Sequence, residues 1–206
     1  FRPRDTAFRI ETQNSVPTAA GIASSASGFA ALVLALNDLF GWSLPDAELS
    51  VLARMGSGSA CRSLWPGFVQ WQAGEREDGM DSHGIPLDYR WPDLRIGILT
   101  LTANAKAIGS RRAMNDTVSQ SALYRAWPDI VDRDIQRLHH VLAARDLDEM
   151  GAVAESNALQ MHATMLGVWP PILYWQPDSV ATMHRIWALR ADGIPVYFTM
   201  DAGPNV

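Results

Sequence analysis

Three stretches of this sequence carry residue types that could hold phosphate groups and move a proton. The first is Asn14 to Ala31, NSVPTAAGIASSASGFAA. Pro17, Ala20, Gly21 and Ala23 keep a turn bare of bulk, and Ser24 and Ser25 open the helix that follows. In such a loop main-chain N–H groups point inward and the helix N-terminus adds partial positive charge, which together cradle a phosphate. The serine hydroxyls can reach a phosphate or a magnesium ion, Ser24 being the candidate metal contact. The same small residues also suit a tight turn with close helix packing. No Gly-Lys-Ser/Thr follows, so the Walker pattern is absent.

The second stretch is Ser57, Gly58, Ser59, Ala60, Cys61 and Arg62, another bare helix start. It offers N–H groups and hydroxyls to an anion. Arg62 follows Ser59 by one turn on the same face, where a guanidinium can grip a carboxylate with two parallel hydrogen bonds. A helix cap followed by a surface arginine has the same pattern. The third is Asp201, at the end of an apolar run and followed by Ala202, Gly203 and Pro204. A carboxylate on such a turn can face a cleft as a proton acceptor, or cap the turn with its own side chain.

These groups need elements to hold them. Alternation predicts strands over Ala7 to Thr12, Gly67 to Gln72 and Leu94 to Thr102, and a buried strand over Pro195 to Met200. Helical spacing predicts Ser24 to Phe40, with Phe29, Leu32, Val33, Leu36 and Phe40 inward and Gly41 as the stop. A second helix starts at Ser43, Pro45 and Asp46 and buries Leu49, Leu52 and Ala53. Three more run over Trp127 to Arg145, Asp148 to Met165 and Asp178 to Ala191, the last with Val180, Met183, Ile186 and Trp187 inward. Glu75 to Gly84 reads as an exposed loop. Pro92 breaks the pattern near Asp88 to Asp93, which divides the chain into residues 1–90 and 91–206. His139 and His140 face different ways on one helix and read as structural; His162 fits a catalytic role or, more readily, a satisfied core or loop histidine.

The chain has 206 residues, nearly half of them apolar, with a formal net charge of −5. That fits one or two folded domains with a sizeable core. No basic patch favours nucleic acid, and no apolar run approaches a membrane span. The single cysteine, Cys61, rules out an intrachain disulfide framework and fits a reducing cytoplasm; it reads as a small buried residue.

Taken together, PTAAGIASSASG, SGSACRSLWPGFVQW and DAGPNV resemble, in order, motifs of the GHMP kinase superfamily, and most closely its diphosphomevalonate decarboxylase branch. MHATMLGVWPPI, around His162, is similar to a further motif of that branch. The resemblance spans nearly the whole chain. It implies an α+β, two-layer, GHMP-kinase-like fold, with a ribosomal protein S5 domain 2-like front domain and a ferredoxin-like C-terminal domain. It implies a chain cut at both ends, with a Tyr-Trp-Gly-Lys motif and most of the adenine pocket in the absent front. The implied reaction converts mevalonate 5-diphosphate and ATP, with Mg²⁺, to isopentenyl diphosphate, ADP, phosphate and carbon dioxide. By resemblance Asp201 is the catalytic acid/base and Arg62 holds the substrate carboxylate. Residues 57–62 and Ser110 with Arg111 bind substrate, while Pro17, Ala20, Gly21, Ala23, Ser24 and Ser25 bind the ATP phosphates. Arg111 and Arg112 depart from the small residues that the family carries there. A homodimer is implied as well. A kinase that stops after phosphoryl transfer, a decarboxylase of the monophosphate, and a truncated inactive copy are the competing readings.

Overall fold

The computed structural model describes residues 7, 9–14, 23–104 and 106–206. Pro17, Ala20 and Gly21 therefore lie outside the described residues. Helix α1, Ser24–Leu39, follows Ala23, whose φ of 54° is left-handed and strained for a residue with a Cβ. The buried face of α1 is Ser24, Ala26, Ala30 and Val33. Of the expected stripe only Val33 is buried, Phe29 being exposed and Leu32, Leu36 and Phe40 half-buried, because small residues let the next helix approach closely. Phe29 is 38% exposed, and its ring lies where a Cβ on Gly56 would sit.

Helix α2, Asp46–Gly56, has Pro45 before it and Asp46 and Glu48 in its first turn, where carboxylates complement the helix dipole. Its Leu49 and Ala53 pack with Val33 and Ala60 into one core cluster. A short 3₁₀ turn, Gly58–Arg62, replaces the expected helix after it. Ser50, fully buried, bonds the Cys61 carbonyl at 2.8 Å and accepts from the Gly84 N–H at 2.8 Å. One hydroxyl thus ties α2 to the turn and to a hairpin. That hairpin pairs β1, Val69–Trp71, antiparallel with β2, Gly84–Pro86, with Gln70 opposite Ile85. Gly84 is therefore strand rather than loop, and Ser82 beside it is buried under the Trp71 indole N–H at 3.0 Å.

The second half is helical. Helix α3, Ser110–Gln120, was invisible to periodicity because only Ala113 and Thr117 are buried on it. Helices α4, Trp127–Ala144, and α5, Leu147–Leu166, are joined by two residues. Arg145 turns left-handed with φ 55°, and the Asp146 carboxylate caps α5 by accepting from the Glu149 N–H at 3.0 Å. Helix α6, Pro177–Ala191, opens with a capping box between Gln176 and Ser179. Its buried face is Met183 and Ile186, packed on Ala158, Phe198 and Met200. Val180 and Trp187, expected inside, are 40% and 37% exposed. The Trp187 indole stays at the rim because its N–H donates to Glu155 at 3.1 Å.

The strands expected at Ala7 to Thr12, Leu94 to Thr102 and Pro195 to Met200 form no ladder among the described residues. Alternation is present in the last, with Phe198 and Met200 buried on either side of exposed Thr199. A ladder needs a partner backbone, and among the described residues here only Leu99 and Val206 exchange main-chain bonds, at 2.8 and 3.2 Å. No described helix is long and apolar enough to cross a membrane.

Side chains take over the work of a partner strand. Glu155, 7% exposed on α5, accepts from Arg190 at 2.7 and 3.0 Å and from the Phe198 N–H at 3.1 Å. Removing it strands a half-buried guanidinium, an indole N–H and a buried main-chain N–H together. Glu155→Ala is therefore expected to cost about 3 kcal/mol in urea unfolding; a loss below about 1 kcal/mol would mean that the network carries little.

Candidate active site

Two clusters of the singled-out residues form, and α3 joins them. In the first, the Ser25 and Ser57 hydroxyls lie 2.9 Å apart, so the starts of α1 and of the 3₁₀ turn converge. Ser24 is buried beneath them, and Ser25 is exposed. Gly58 lies against the Trp71 ring, where a Cβ would meet it at 2.9 Å. Ala60 and Cys61 are fully buried, so their side chains support the turn from behind. Burial raises the Cys61 thiol above its ordinary value, although Arg62 and Arg54 oppose the shift, and this keeps it inert as a nucleophile. Arg62 is exposed, with its guanidinium 5.7 Å from the Trp71 ring centroid. It stands at the edge of a cavity of about 500 Å³ that is also lined by Gln70, Asp134, Asn157 and Thr199.

The second cluster surrounds Asp201, which is exposed while residues 202–205 behind it are buried. Its carboxylate accepts from the Ala202 N–H at 2.8 Å. Lys106 donates to the Ser110 hydroxyl at 2.6 Å and to the Ala202 carbonyl at 2.5 Å, and sits 5.4 Å from the Tyr174 ring centroid. Burial lowers the Lys106 ammonium from its ordinary value, and the Asp201 charge opposes this. His162 lies 3.1 Å from the Asp201 carbonyl through Nε2. Helix α3 bridges the clusters: Ser110 faces Lys106, while Arg111 donates to the Gly56 carbonyl at 3.1 Å. Arg112 instead pairs with Asp116 on its own helix and is exposed.

Lys106 and Tyr174 went unnoticed in the sequence. A lysine four residues before Ser110 was the available signal, but loop spacing has no period to mark it. His139 is structural in the fold, held between the Gln70 side chain at 2.7 Å and the Tyr89 hydroxyl at 3.3 Å. His140 bonds the Gln136 carbonyl of its own helix. Among the described residues no group of three His, Cys, Asp or Glu could hold a metal.

Electrostatics around Asp201 predicts a pH effect. Burial lowers His162 below the ordinary imidazole value of 6.5, while the bond to Asp201 and its charge oppose the shift. Neutral His162 therefore favours the fold above pH 6.5, the unfolded value, and that contribution is lost as pH falls through the folded value. Below pH 6.5 wild type should lose stability faster than His162→Phe; parallel stability curves by urea unfolding would contradict this.

Comparison with known proteins gives one answer along the chain. A family described as diphosphomevalonate decarboxylase-like N-terminal domain matches residues 2–84. The mevalonate 5-diphosphate decarboxylase C-terminal domain matches residues 96–206, more than half of the chain. The diphosphomevalonate decarboxylase mvd1 of Aspergillus fumigatus is 41% identical over 203 residues, covering 96% of this chain and 50% of that protein. The diphosphomevalonate decarboxylase of Danio rerio is 40% identical over 198 residues, covering 93% and 48%. The chain thus spans about half the length of the curated relatives it matches. The solved mevalonate pyrophosphate decarboxylase of Streptococcus pyogenes superposes with a TM-score of 0.85 at 35% identity, covering all of this chain and 63% of that one. A structure described as MDDEF in complex with MVAPP, AMPPCP and magnesium superposes with a TM-score of 0.80 at 41% identity, covering 92% and 58%.

Proposed function

The chain belongs to the diphosphomevalonate decarboxylase family, and on that premise we propose that the protein is the ATP-dependent decarboxylase of mevalonate 5-diphosphate. The observation that carries the reading is α3, whose adjacent Ser110 and Arg111 reach the Asp201 cluster and the Ser25–Ser57 cluster respectively. Such a link holds two phosphate sites and one base in a fixed relation, which favours reaction between bound groups. Residues 1–90 and 91–206 act as the two halves of the cleft, a division supported by the family matches that end at 84 and resume at 96.

In this reading the α1 start, with Ala23, Ser24 and Ser25, takes the ATP phosphates, together with Pro17, Ala20 and Gly21. Ser57, Gly58, Ser59, Ser110 and Arg111 hold the substrate diphosphate, backed by Ala60 and Cys61. The serine hydroxyls at the α1 start fit a magnesium held mainly by phosphate oxygens with one hydroxyl from the chain. When bound there, magnesium neutralises charge on the transferring phosphoryl.

Chemistry then falls to the chain's own groups. A tertiary hydroxyl is a weak nucleophile, so Asp201 takes its proton as the oxygen bonds to the γ-phosphorus and ADP leaves. Lys106, beside Asp201, balances anionic charge there. The C3–O bond next breaks with its electron pair on phosphate. The C–CO₂ bond supplies the pair that becomes the double bond, and carbon dioxide departs. Arg62 holds the carboxylate in line for that step. The protein acts as a homodimer in the cytoplasm, a placement supported by its lone buried cysteine.

Carbon dioxide release by the full-length protein from mevalonate 5-diphosphate, ATP and Mg²⁺ tests the assignment. Asp201→Asn should lower kcat by ~10² or more. Arg62→Gln should lower carbon dioxide release by ~10² through lost alignment. Variants that keep wild-type rates would remove both residues from these roles.

A further inference from the structure

His162 is among the largest fully buried side chains, 2% exposed. It lies 5.0 Å from the Trp175 ring and 6.4 Å, edge on, from Tyr174. Burial of an imidazole beside apolar rings favours the neutral form. Its Nε2 faces a carbonyl, which can only accept, so Nε2 carries the proton and Nδ1 does not. The charged and titratable groups around it are the Asp201 carboxylate, the Tyr174 phenol, raised by burial and by Asp201, and Lys106 over the Tyr174 ring.

The bond acts on one peptide group. The carbonyl that His162 holds belongs to Asp201 and also accepts from the Gly203 N–H at 2.8 Å within the turn, and the N–H of that same peptide belongs to Ala202. This N–H donates to Oδ1 of the Asp201 side chain at 2.8 Å. Fixing the carbonyl therefore fixes the plane from which the carboxylate hangs. Lys106 holds the next carbonyl, that of Ala202, so two consecutive peptides are pinned from the protein side.

We propose that His162 is a positioning residue for Asp201: it clamps the Asp201–Ala202 peptide so that one carboxylate oxygen is anchored and the other stays free for a substrate proton. The inference rests on the catalytic reading of Asp201 given above. It assigns His162 no proton transfer of its own. Misplacing a reacting group by about 1 Å can cost ~10² in rate, so a clamp of this kind is felt in turnover rather than in binding.

The test compares His162→Phe and His162→Gln with wild type in the full-length protein. Phe keeps the ring and loses the donor, while Gln can return an N–H near the Nε2 position. His162→Phe should lower kcat by about 10-fold or more with both KM values within about threefold of wild type, and His162→Gln should recover most of the loss. A loss confined to KM, or equal loss in both variants, would overturn the clamp. Imidazole ¹⁵N spectra supply a readout independent of turnover. They should show His162 protonated at Nε2 and not titrating across pH 6.5, the ordinary imidazole value. A titrating ring, or a proton on Nδ1, would overturn the contact. A wild-type protein that releases no carbon dioxide defeats the assigned reaction, while the spectra still decide whether His162 holds the turn.

Discussion

The segment from Pro195 to Val206 has no strand partner beyond Leu99 among the described residues, so its buried backbone depends on side chains from elsewhere. Buried main-chain groups cost heavily when unpaired. Here Glu155 accepts from the Phe198 N–H, His162 and the Gly203 N–H both donate to the Asp201 carbonyl, Lys106 donates to the Ala202 carbonyl and Ser179 to the Pro204 carbonyl. Asn205, itself 2% exposed, accepts from the Leu101 and Thr102 N–H groups and donates to the Thr102 carbonyl. Helices α5 and α6 thus set where the turn lies, and the turn sets where Asp201 points.

That dependence explains why the helices surround the turn as they do. The face of α5 that carries Glu155 and His162 looks toward the segment, and α6 adds Arg190 and Ser179. Arg190 also stacks 4.3 Å from the Tyr197 ring centroid, and Gly151 gives that ring its room on α5. The front half uses a different device for the same end. A single buried serine, Ser50, holds the turn that carries Ser57 and Arg62 against α2 and the hairpin. Each half presents a rigid turn, and α3 lies between them with one side chain on each. This is the arrangement that two-substrate phosphoryl transfer needs, since its catalysis is mostly positioning and charge.

Long periodic helices were legible in the sequence, and α1, α4, α5 and α6 fall within a few residues of their expected bounds. Their inward faces were less so. Phe29, Val180 and Trp187 are large enough to promise burial, yet Ala26 and Ala30 take the interior of α1 because α2 sits so close. Helix α3 had no apolar stripe to betray it. Of the expected strands, Gly67 to Gln72 holds β1, while the others join no described ladder: alternation marks an extended chain, but whether it pairs depends on a partner far away in sequence. The family motifs point to Ser57, Arg62, Ser110 and Asp201 as site residues, and the structure adds what stands behind those side chains. Glu155 and Asn205 were not legible because their partners lie 35 and 104 residues away, a separation no local pattern records; Lys106 has Ser110 four residues on, but its bond to the Ala202 carbonyl spans 96.

The proposed function couples phosphoryl transfer to loss of carbon dioxide. The ratio of carbon dioxide to ADP formed by the full-length protein from mevalonate 5-diphosphate and ATP with Mg²⁺ tests that coupling. One carbon dioxide is expected for each ADP at every time point. ADP that accumulates with no carbon dioxide would contradict it and make the protein a kinase of the same superfamily, and a folded full-length protein that forms neither would leave only shared descent.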